Sequence, residues 1–515
     1  MRRTRRRTLA ALALPAAVAA IVSISGCTSA STASGTTQAA GSGSKGTLTL
    51  GMSQDIYGWD PANQPSYQNW AGMAVYDQLM ICNAQGTPRP DIATSWALKP
   101  ANLGVTLHLR AGMKFTDGSP VNAAAVKASL IYAAKNGAGA LRLAGLTIAT
   151  PNSSTVVITL AQPDPLLTAR VLCSATIASP KFLASGQVNN SPDGSGPYTL
   201  DSAATIRGSV YTFTKNPSYW DAKAFPYSKL VLKVLTSDTA MMDALKTGQV
   251  EGALVSANDY NEAKASGLNV IEMHGETTRL LLTDHLGKVI PALGNVDVRR
   301  AINMVFNTNE MAADLYHGLA APADQIFRPG SAASISGLSN PYPFNVAAAK
   351  ALMAKAGYAN GFSVQLPYLQ GVGLDQLLPY VIQQLSLLNI KATQVTLSGP
   401  NAITELLSGK YPMLLWPLGN YADSRADIYD YVLPTGIWNV EHQHDATVAK
   451  LWNQILTGTA QQQAAAEQAI NRYIIQQAWF VPMAYPDLLY AHSPSVSIPS
   501  VSDPDALDPQ LWDFK

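Results

Sequence analysis

Strand-like and helix-like segments alternate through the second half of the chain, and this order restricts the fold more than any other feature of the sequence. A helical pattern over residues 345–358 begins at Asn345, a good N-cap, and stops at Gly357. An extended FSVQLPY segment, a helical LDQLLPYVIQQLSLLNI segment and an extended ATQVTLS segment follow in turn. A last long helix is predicted over about 445–477, before a returning strand. Such alternation is typical of an α/β lobe.

The first 27 residues have the pattern of an export signal. A basic MRRTRRR head precedes an apolar run from Leu9 to Ile24 that contains Pro15 and is too short to span a membrane. The run ends in Ile24-Ser25-Gly26-Cys27, which resembles the bacterial lipoprotein box, so Cys27 is the predicted lipid attachment site. The alternative is a plain cleavage site with an incidental cysteine. The arginines resemble a twin-arginine signal only loosely, so the export route stays open.

Composition restricts what the rest of the chain can be. Residues 28–46 are almost entirely Ser, Thr, Ala and Gly, which predicts a flexible linker. The remaining length exceeds one ordinary domain, so two or more lobes are expected. Of 35 basic residues five lie in the signal, against 34 acidic ones, and no basic tract remains. A nucleic-acid partner is therefore not expected, and we expect a monomer that touches the membrane only through its N-terminal lipid.

Two cysteines remain after Cys27. Cys82 and Cys173 could form a disulfide in an exported protein, or could be separate buried thiols, and spacing alone does not decide between them.

Seven short segments spread over about 300 residues are notable, and most have the composition of turns or helix starts. Asp117-Gly118 is a turn, for example, and Asn122 is suited to cap the helix after it. The segments are DP (60–61), PDIATSW (90–96), FTDGSPVNA (115–123), GSGPY (194–198), NPSYW (216–220), DVRRAI (297–302) and LMAKAGY (352–358).

With these segments in this order, the chain resembles the extracytoplasmic solute-binding proteins of peptide and nickel ABC importers, solute-binding protein family 5. The resemblance implies an α/β, two-lobe, periplasmic-binding-protein-like fold of type II, in the large oligopeptide-binding class, with an extra subdomain in lobe I. Lobe I would cover residues 47–279 and 480–515, and lobe II residues 280–479. The chain also departs from the family pattern, because Ala123-Ala124-Ala125 stand where the family usually has an acidic residue.

The resemblance further implies the site. Gly419, Asn420, Tyr421 and Asp423 fall on a family loop whose aspartate pairs with the ammonium of a bound peptide. The alternative for Asp423 is a cap on the next helix. Further wall residues are predicted in two places. Tyr67, Gln68 and Trp70 lie between Asp60-Pro61 and the following helix. Thr278 and Arg279 lie near the first crossing between lobes, with Arg279 available to a ligand carboxylate. Trp70 could equally belong to the core, and Arg279 could be internally paired.

Glu441-His442-Gln443-His444-Asp445 contains an H-x-H pair, but a polar loop with Asp445 capping a helix is the favoured reading, so no metal and no cofactor are predicted. The alternative class is a surface-anchored hydrolase, but none of the patterns G-x-S-x-G, H-E-x-x-H or S-x-x-K fits in this sequence. The predicted function is therefore not enzymatic. It is a lipid-anchored binding protein on the extracytoplasmic face of the cell membrane that delivers peptides or similar small solutes to an ABC permease. Sugars and nickel chelates remain alternative solutes.

Overall fold

The structure, a computed structural model, describes residues 45–56, 58–64, 69–82, 88–136, 145–164, 166–167, 172–173, 175–274, 276–369, 372, 374–398, 401–419, 421, 423–501 and 509–515. Its strands are β1 (Lys45–Met52), β2 (Asp77–Gln78), β3 (Met80–Cys82), β4 (Pro88–Pro90), β5 (Ala93–Leu98), β6 (Gly104–Leu109), β7 (Thr147–Asn152), β8 (Thr155–Thr159), β9 (Thr176–Ile177), β10 (Tyr198–Leu200), β11 (Val210–Lys215), β12 (Tyr227–Val234), β13 (Gly252–Val255), β14 (Asn269–Met273), β15 (Glu276–Leu281), β16 (Ala320–Pro322), β17 (Ser363–Leu369), β18 (Lys391–Leu397), β19 (Leu414–Gly419), β20 (Phe480–Pro486) and β21 (Leu488–His492).

Its helices are α1 (Asn69–Val75), α2 (Ala123–Asn136), α3 (Pro180–Ala184), α4 (Asp238–Lys246), α5 (Tyr260–Ala265), α6 (Val296–Asn303), α7 (Thr308–Glu310), α8 (Val346–Lys355), α9 (Leu377–Ser386), α10 (Ala402–Leu406), α11 (Ser424–Tyr431), α12 (Ala446–Thr457) and α13 (Ala460–Gln476).

A seven-stranded sheet forms around β1, in the order β10-β11-β12-β1-β13-β21-β14. Strand β1 runs parallel to β12 and β13, and β21 returns from the far end of the chain to lie antiparallel between β13 and β14. Leu48, Leu50 and Met52 are buried in one core because alternate side chains of a strand point to the same face.

A peripheral antiparallel sheet, β5-β6-β8-β7, carries helix α2 and has a core of its own. The Asn122 side chain accepts a hydrogen bond from the Ala125 amide at 3.0 Å, which confirms the predicted cap on α2. Cys82 and Cys173 are joined by a disulfide across 91 positions of sequence, with Cα atoms 5.4 Å apart. The question that the spacing left open is thus answered.

A third sheet, β16-β20-β15-β19, is called here the β15 sheet. Leu280 packs into the core formed with α6, α8 and α9, whereas the neighbouring Leu281 packs into the core formed with α12 and α13. Strands β17 and β18 pair in parallel beside it, with α9 between them in sequence. This arrangement confirms the α/β alternation predicted from residues 345–419.

The long helix predicted over 445–477 is wrong, because the segment forms two helices. Helix α12 ends at Thr457, and α13 begins at Ala460. Thr459 starts α13 with a capping box: its hydroxyl accepts from the Gln462 amide at 3.4 Å, and the Gln462 side chain accepts from the Thr459 amide at 2.8 Å. A box of this kind satisfies amides that the continuous helix would have bonded within itself.

The chain passes twice between the seven-stranded sheet and the β15 sheet. The first passage lies between β14 and β15, and the second is Asp487, between β20 and β21. The imidazole Nδ1 of His274 lies 2.9 Å from a carboxylate oxygen of Asp487, which ties the two passages together. The predicted division into lobes stays a prediction, and these passages are where its crossings would lie.

The segments that carry the family resemblance meet one another inside the fold. Asp77 is buried and accepts from the Ser195 hydroxyl of GSGPY at 2.7 Å and from the Tyr219 hydroxyl of NPSYW at 2.9 Å. A Cβ on Gly194 would stand 2.0 Å from the Val75 carbonyl oxygen, so only glycine allows this close backbone approach. These residues therefore build the scaffold, and the site has to be found elsewhere.

Candidate functional site

The predicted site residues after the first crossing lie on β15, the second strand in from one edge of its sheet. Glu276 pairs with Gly419 across the β15–β19 ladder, and Arg279 pairs with Trp416. The ladder with β20 shifts register between Thr278 and Arg279. Two stretches that sequence analysis selected separately, residues 278–279 and the loop beginning at 419, are therefore brought together.

Arg279 is fully buried, and its hydrogen bonds leave part of the guanidinium unused. Its Nε donates to the Thr277 carbonyl and its Nη2 to the Leu418 carbonyl, both at 3.3 Å. Its Nη1 is buried and has no hydrogen-bond partner among the described residues, none of whose carboxylates forms an ion pair with the group. Burial lowers the pKa of Arg279, and the nearby Tyr431 and Asp427 oppose that shift. A buried N–H without an acceptor is costly unless a ligand supplies one.

A second buried arginine shows how this chain satisfies a guanidinium that has only a structural role. Arg299 donates from Nε and Nη2 to the Gln477 carbonyl, at 3.0 and 2.8 Å, and from Nη1 to the Leu293 carbonyl at 2.7 Å. All three of its nitrogens have acceptors, whereas Arg279 has acceptors for two.

Helix α11 and the loop before it form the wall opposite Arg279. The guanidinium carbon of Arg279 lies 4.8 Å from the centre of the Tyr431 ring, and the Tyr431 hydroxyl donates to the Gly419 carbonyl. Tyr421 donates its amide to the Asp427 carboxylate at 3.1 Å and its hydroxyl to the Asp430 carboxylate at 2.5 Å. The loop is thus held against α11 by buried carboxylates.

Asp423 is occupied within its own loop. Its carboxylate accepts from the Arg425 amide at 3.0 Å, which makes it the N-cap of α11. The Arg425 guanidinium donates to both oxygens of the same carboxylate, with Nε at 2.9 and 3.1 Å from them. Asp423 therefore caps α11, as the alternative interpretation predicts. Its pairing with a ligand ammonium stays a prediction.

The remaining predicted residues are placed as follows. Thr278 is buried, and its hydroxyl lies 3.1 Å from the Tyr316 hydroxyl. Trp70 is buried between Tyr490 and Phe514, and its indole N–H donates to the Pro509 carbonyl at 2.8 Å, so most of its surface belongs to the core. Trp416 packs on Trp438 with ring centres 5.6 Å apart. Outside the described residues lie Cys27, Tyr67, Gln68 and Asn420.

Sequence analysis missed Glu276. Its carboxylate is half-buried, and no described residue hydrogen-bonds to it. Burial raises its pKa to about 7, against the opposing effect of the Arg279 charge. The signal was available: Glu276 directly follows the crossing, three residues before the arginine that was selected.

Two clefts border the β15 sheet. One is lined in part by Phe306 and Asp324, and the other in part by Tyr431 and Trp438. Asp445 caps α12 by accepting from the Thr447 and Val448 amides, as predicted.

Among the residues that the structure describes, no cluster of three or more metal-ligating side chains occurs, and no helix is long and apolar enough to cross a membrane.

The sequence profile of the bacterial extracellular solute-binding proteins, family 5 Middle, matches residues 87–439. Among curated proteins, the glutathione-binding protein GsiB of Escherichia coli O6:K15:H31 is 29% identical over 314 residues, covering 59% of this chain and 60% of the relative. The chain thus spans about 60% of the length of the curated relatives that it matches.

Two solved structures share the fold. MoaA from A. tumefaciens R10, in complex with mannopinic acid, has a TM-score of 0.81 at 19% identity, covering 90% of this chain and 98% of its own. The binding protein DppA from Helicobacter pylori, in complex with the peptide STSA, has a TM-score of 0.80 at 19% identity, covering 92% and 98%. These likenesses confirm the predicted fold class, an α/β periplasmic-binding-protein fold of type II.

Proposed function

The chain belongs to family 5 of the bacterial extracellular solute-binding proteins, and from this premise we propose that it captures a peptide or peptide-like solute between two lobes and delivers it to an ABC permease. The family consists of binding proteins and not of enzymes. The relatives named above bind glutathione, a peptide and mannopinic acid. Each of these molecules carries at least one carboxylate.

The observation that carries the proposal is the unused Nη1 of Arg279. A guanidinium presents N–H groups in a planar fork that matches the two oxygens of a carboxylate. The surrounding Tyr431, Thr277 and Leu418 supply a ring face and backbone carbonyls, none of which competes as an anion. A solute carboxylate would hydrogen-bond directly to the buried cation, whereas the described carboxylates Asp427 and Glu276 act on its charge without forming an ion pair with it.

Identification of the bound solute tests this function. The protein is purified without a ligand-exchange step, denatured, and its released small molecules are identified by mass spectrometry. We expect a peptide or another solute that carries a carboxylate. When the same solute is incubated with the protein, we expect to recover it chemically unchanged. A neutral sugar would contradict the peptide assignment, and a nickel chelate would replace it by one of the alternative solutes.

We also propose that Cys27 carries lipid and that residues 28–44 tether the binding body to the membrane; the predicted linker 28–46 is shorter at its end because Lys45 and Gly46 belong to β1. A capture protein confined beside its permease raises the local concentration of loaded protein without any new contact. Replacement of Cys27 by alanine is expected to release the protein into the medium or to leave the signal uncleaved. Fractionation and intact-mass measurement of both forms would show this, and a processed, membrane-bound Cys27→Ala protein would contradict the lipid assignment.

A further inference from the structure

We propose that Arg425 sets the selectivity of the candidate site, because it holds the Asp423 carboxylate in an ion pair and so prevents that carboxylate from selecting a solute ammonium. The inference rests on the proposed function and deepens it. The solute class is then peptides or peptide-like molecules that the site accepts equally well whether their amino end is charged or blocked. Arg425 acts through Asp423 and is therefore a positioning residue.

The first argument is that both oxygens of the Asp423 carboxylate already accept hydrogen bonds from the Arg425 guanidinium. One oxygen accepts Nε at 2.9 Å and also the Arg425 amide at 3.0 Å. The other oxygen accepts Nε at 3.1 Å and Nη2 as well. A guanidinium that meets a carboxylate through two of its nitrogens forms one of the stronger ion pairs in proteins. An arriving ammonium therefore meets a carboxylate whose charge is already matched.

The second argument is that the pair is partly withdrawn from water and that its two residues are close in the chain. The side chains of Arg425 and Asp423 are 25% and 23% exposed. Arg425 lies in the first turn of α11, two residues after the Asp423 cap. Even with the two side chains apart, its positive charge remains nearby and opposes a second cation beside Asp423. The hydrogen bonds to Asp423 raise the pKa of Arg425, so the guanidinium stays charged.

The third argument is that acidic groups from two other elements also favour the charge of Arg425. Glu467 lies on α13 and Asp164 follows β8, and both stabilise the charged guanidinium. Glu467 itself accepts the Ser424 hydroxyl, and Asp164 accepts the Leu166 amide at 2.8 Å. The chain thus supplies its own cation to this acidic region, in the place where a solute ammonium would otherwise be bound.

Asp423 keeps its place when the Arg425 side chain is replaced, which allows the inference to be tested by a gain of selectivity. The hydrogen bond that caps α11 comes from the backbone amide of residue 425, which every side chain at that position retains. Arg425→Gln therefore leaves the cap and removes the guanidinium from the carboxylate. The carboxylate is then available to a solute ammonium, and damage to the fold alone would not produce such a gain.

The test measures selectivity by competition within a casein hydrolysate. One half of the hydrolysate is acetylated with ordinary acetic anhydride and mixed with an equal, untreated half. The full-length protein is stripped of solute, incubated with the mixture and separated by size. The released peptides are then acetylated with deuterated acetic anhydride, so that each peptide captured with a free amino end carries a heavy acetyl group in mass spectrometry. Only peptides without lysine are counted, because acetylation then neutralises the amino end alone.

Wild type should capture the two forms within about twofold of each other, and Arg425→Gln should prefer the free form by about tenfold or more, the effect of a new desolvated charge pair. The double variant Arg425→Gln with Asp423→Asn should lose that preference. Arg300→Gln is the matched control, because Arg300 pairs with Asp297 on α6 at 3.3 Å, outside the candidate loop. It should show the same ratio as wild type.

Three results would overturn the inference while leaving peptide binding intact. The first is a preference of wild type for the free form beyond about twofold, which would mean that Asp423 receives the ammonium in spite of its pair. The second is a ratio in Arg425→Gln less than about threefold above that of wild type. The third is a preference that persists in the double variant, which would place the ammonium elsewhere. Capture of neither form by wild type would contradict the proposed function itself, and the inference would fall with it.

Discussion

Replacement of Cys82 and Cys173 by serine is expected to lower the free energy of unfolding by about 4–5 kcal/mol, the loss that follows when a cross-link that closes a loop of this length is removed. The disulfide spans 91 positions and joins the β3–β4 edge to the segment that precedes β9. In the reduced chain these regions separate freely in the unfolded state, which gains entropy. The loss should be seen in urea unfolding curves of the processed protein as a lower midpoint.

Reduction of the wild-type protein by dithiothreitol provides the matched control, since it removes the same cross-link without changing the sequence. Reduced wild type and the double serine variant should unfold at the same urea concentration, well below the oxidised wild type. Arg279, the proposed partner of the solute carboxylate, lies on another sheet, so capture by the folded variant should be preserved. A loss of less than about 1 kcal/mol would mean that the disulfide adds little beyond the packing around it.

Local chemistry explains why much of the fold could be predicted. Asn122 and Asn345 stand immediately before their helices, and an N-cap depends only on residues two or three positions away. The alternation of elements from residue 345 to 419 follows from hydrophobic periods within each segment, which no distant contact had to override. The break between α12 and α13 at Thr459 also depends on near neighbours. The prediction of one long helix rested on the continuous helical period and did not use Gly458-Thr459, a helix stop followed by an N-cap.

The parts of the fold and of the candidate site that could not be predicted depend on contacts distant in sequence. Whether Cys82 meets Cys173 is decided by the packing of the peripheral sheet. The unused nitrogen of Arg279 results from a register that sets β15 against β19, more than 130 positions later. Asp423 is different: its partner Arg425 is two residues away, so the intraloop pair could have been considered from the sequence.

Replacement of Arg279 by methionine is expected to separate binding from stability. The variant should bind the solute identified by mass spectrometry about 2–5 kcal/mol more weakly, because a desolvated partner of the solute carboxylate is gone. Its free energy of unfolding should be about unchanged, since removal of a buried, partly unsatisfied cation offsets the two hydrogen bonds that the Thr277 and Leu418 carbonyls lose. Calorimetric titration and urea unfolding of the same preparation measure the two quantities.

Arg299→Met is the matched control for this prediction, because the same substitution there removes a guanidinium whose three nitrogens all have backbone acceptors. It should destabilise the fold by about 2–4 kcal/mol, as buried carbonyls at Leu293 and Gln477 lose charged donors, and should leave the affinity unchanged. Arg279→Lys should fall between wild type and Arg279→Met in affinity, because lysine keeps the charge but loses the fork. If Arg279→Met instead behaves like Arg299→Met, unstable but still binding, then Arg279 serves the fold alone, and the anionic end of the solute is held by another group.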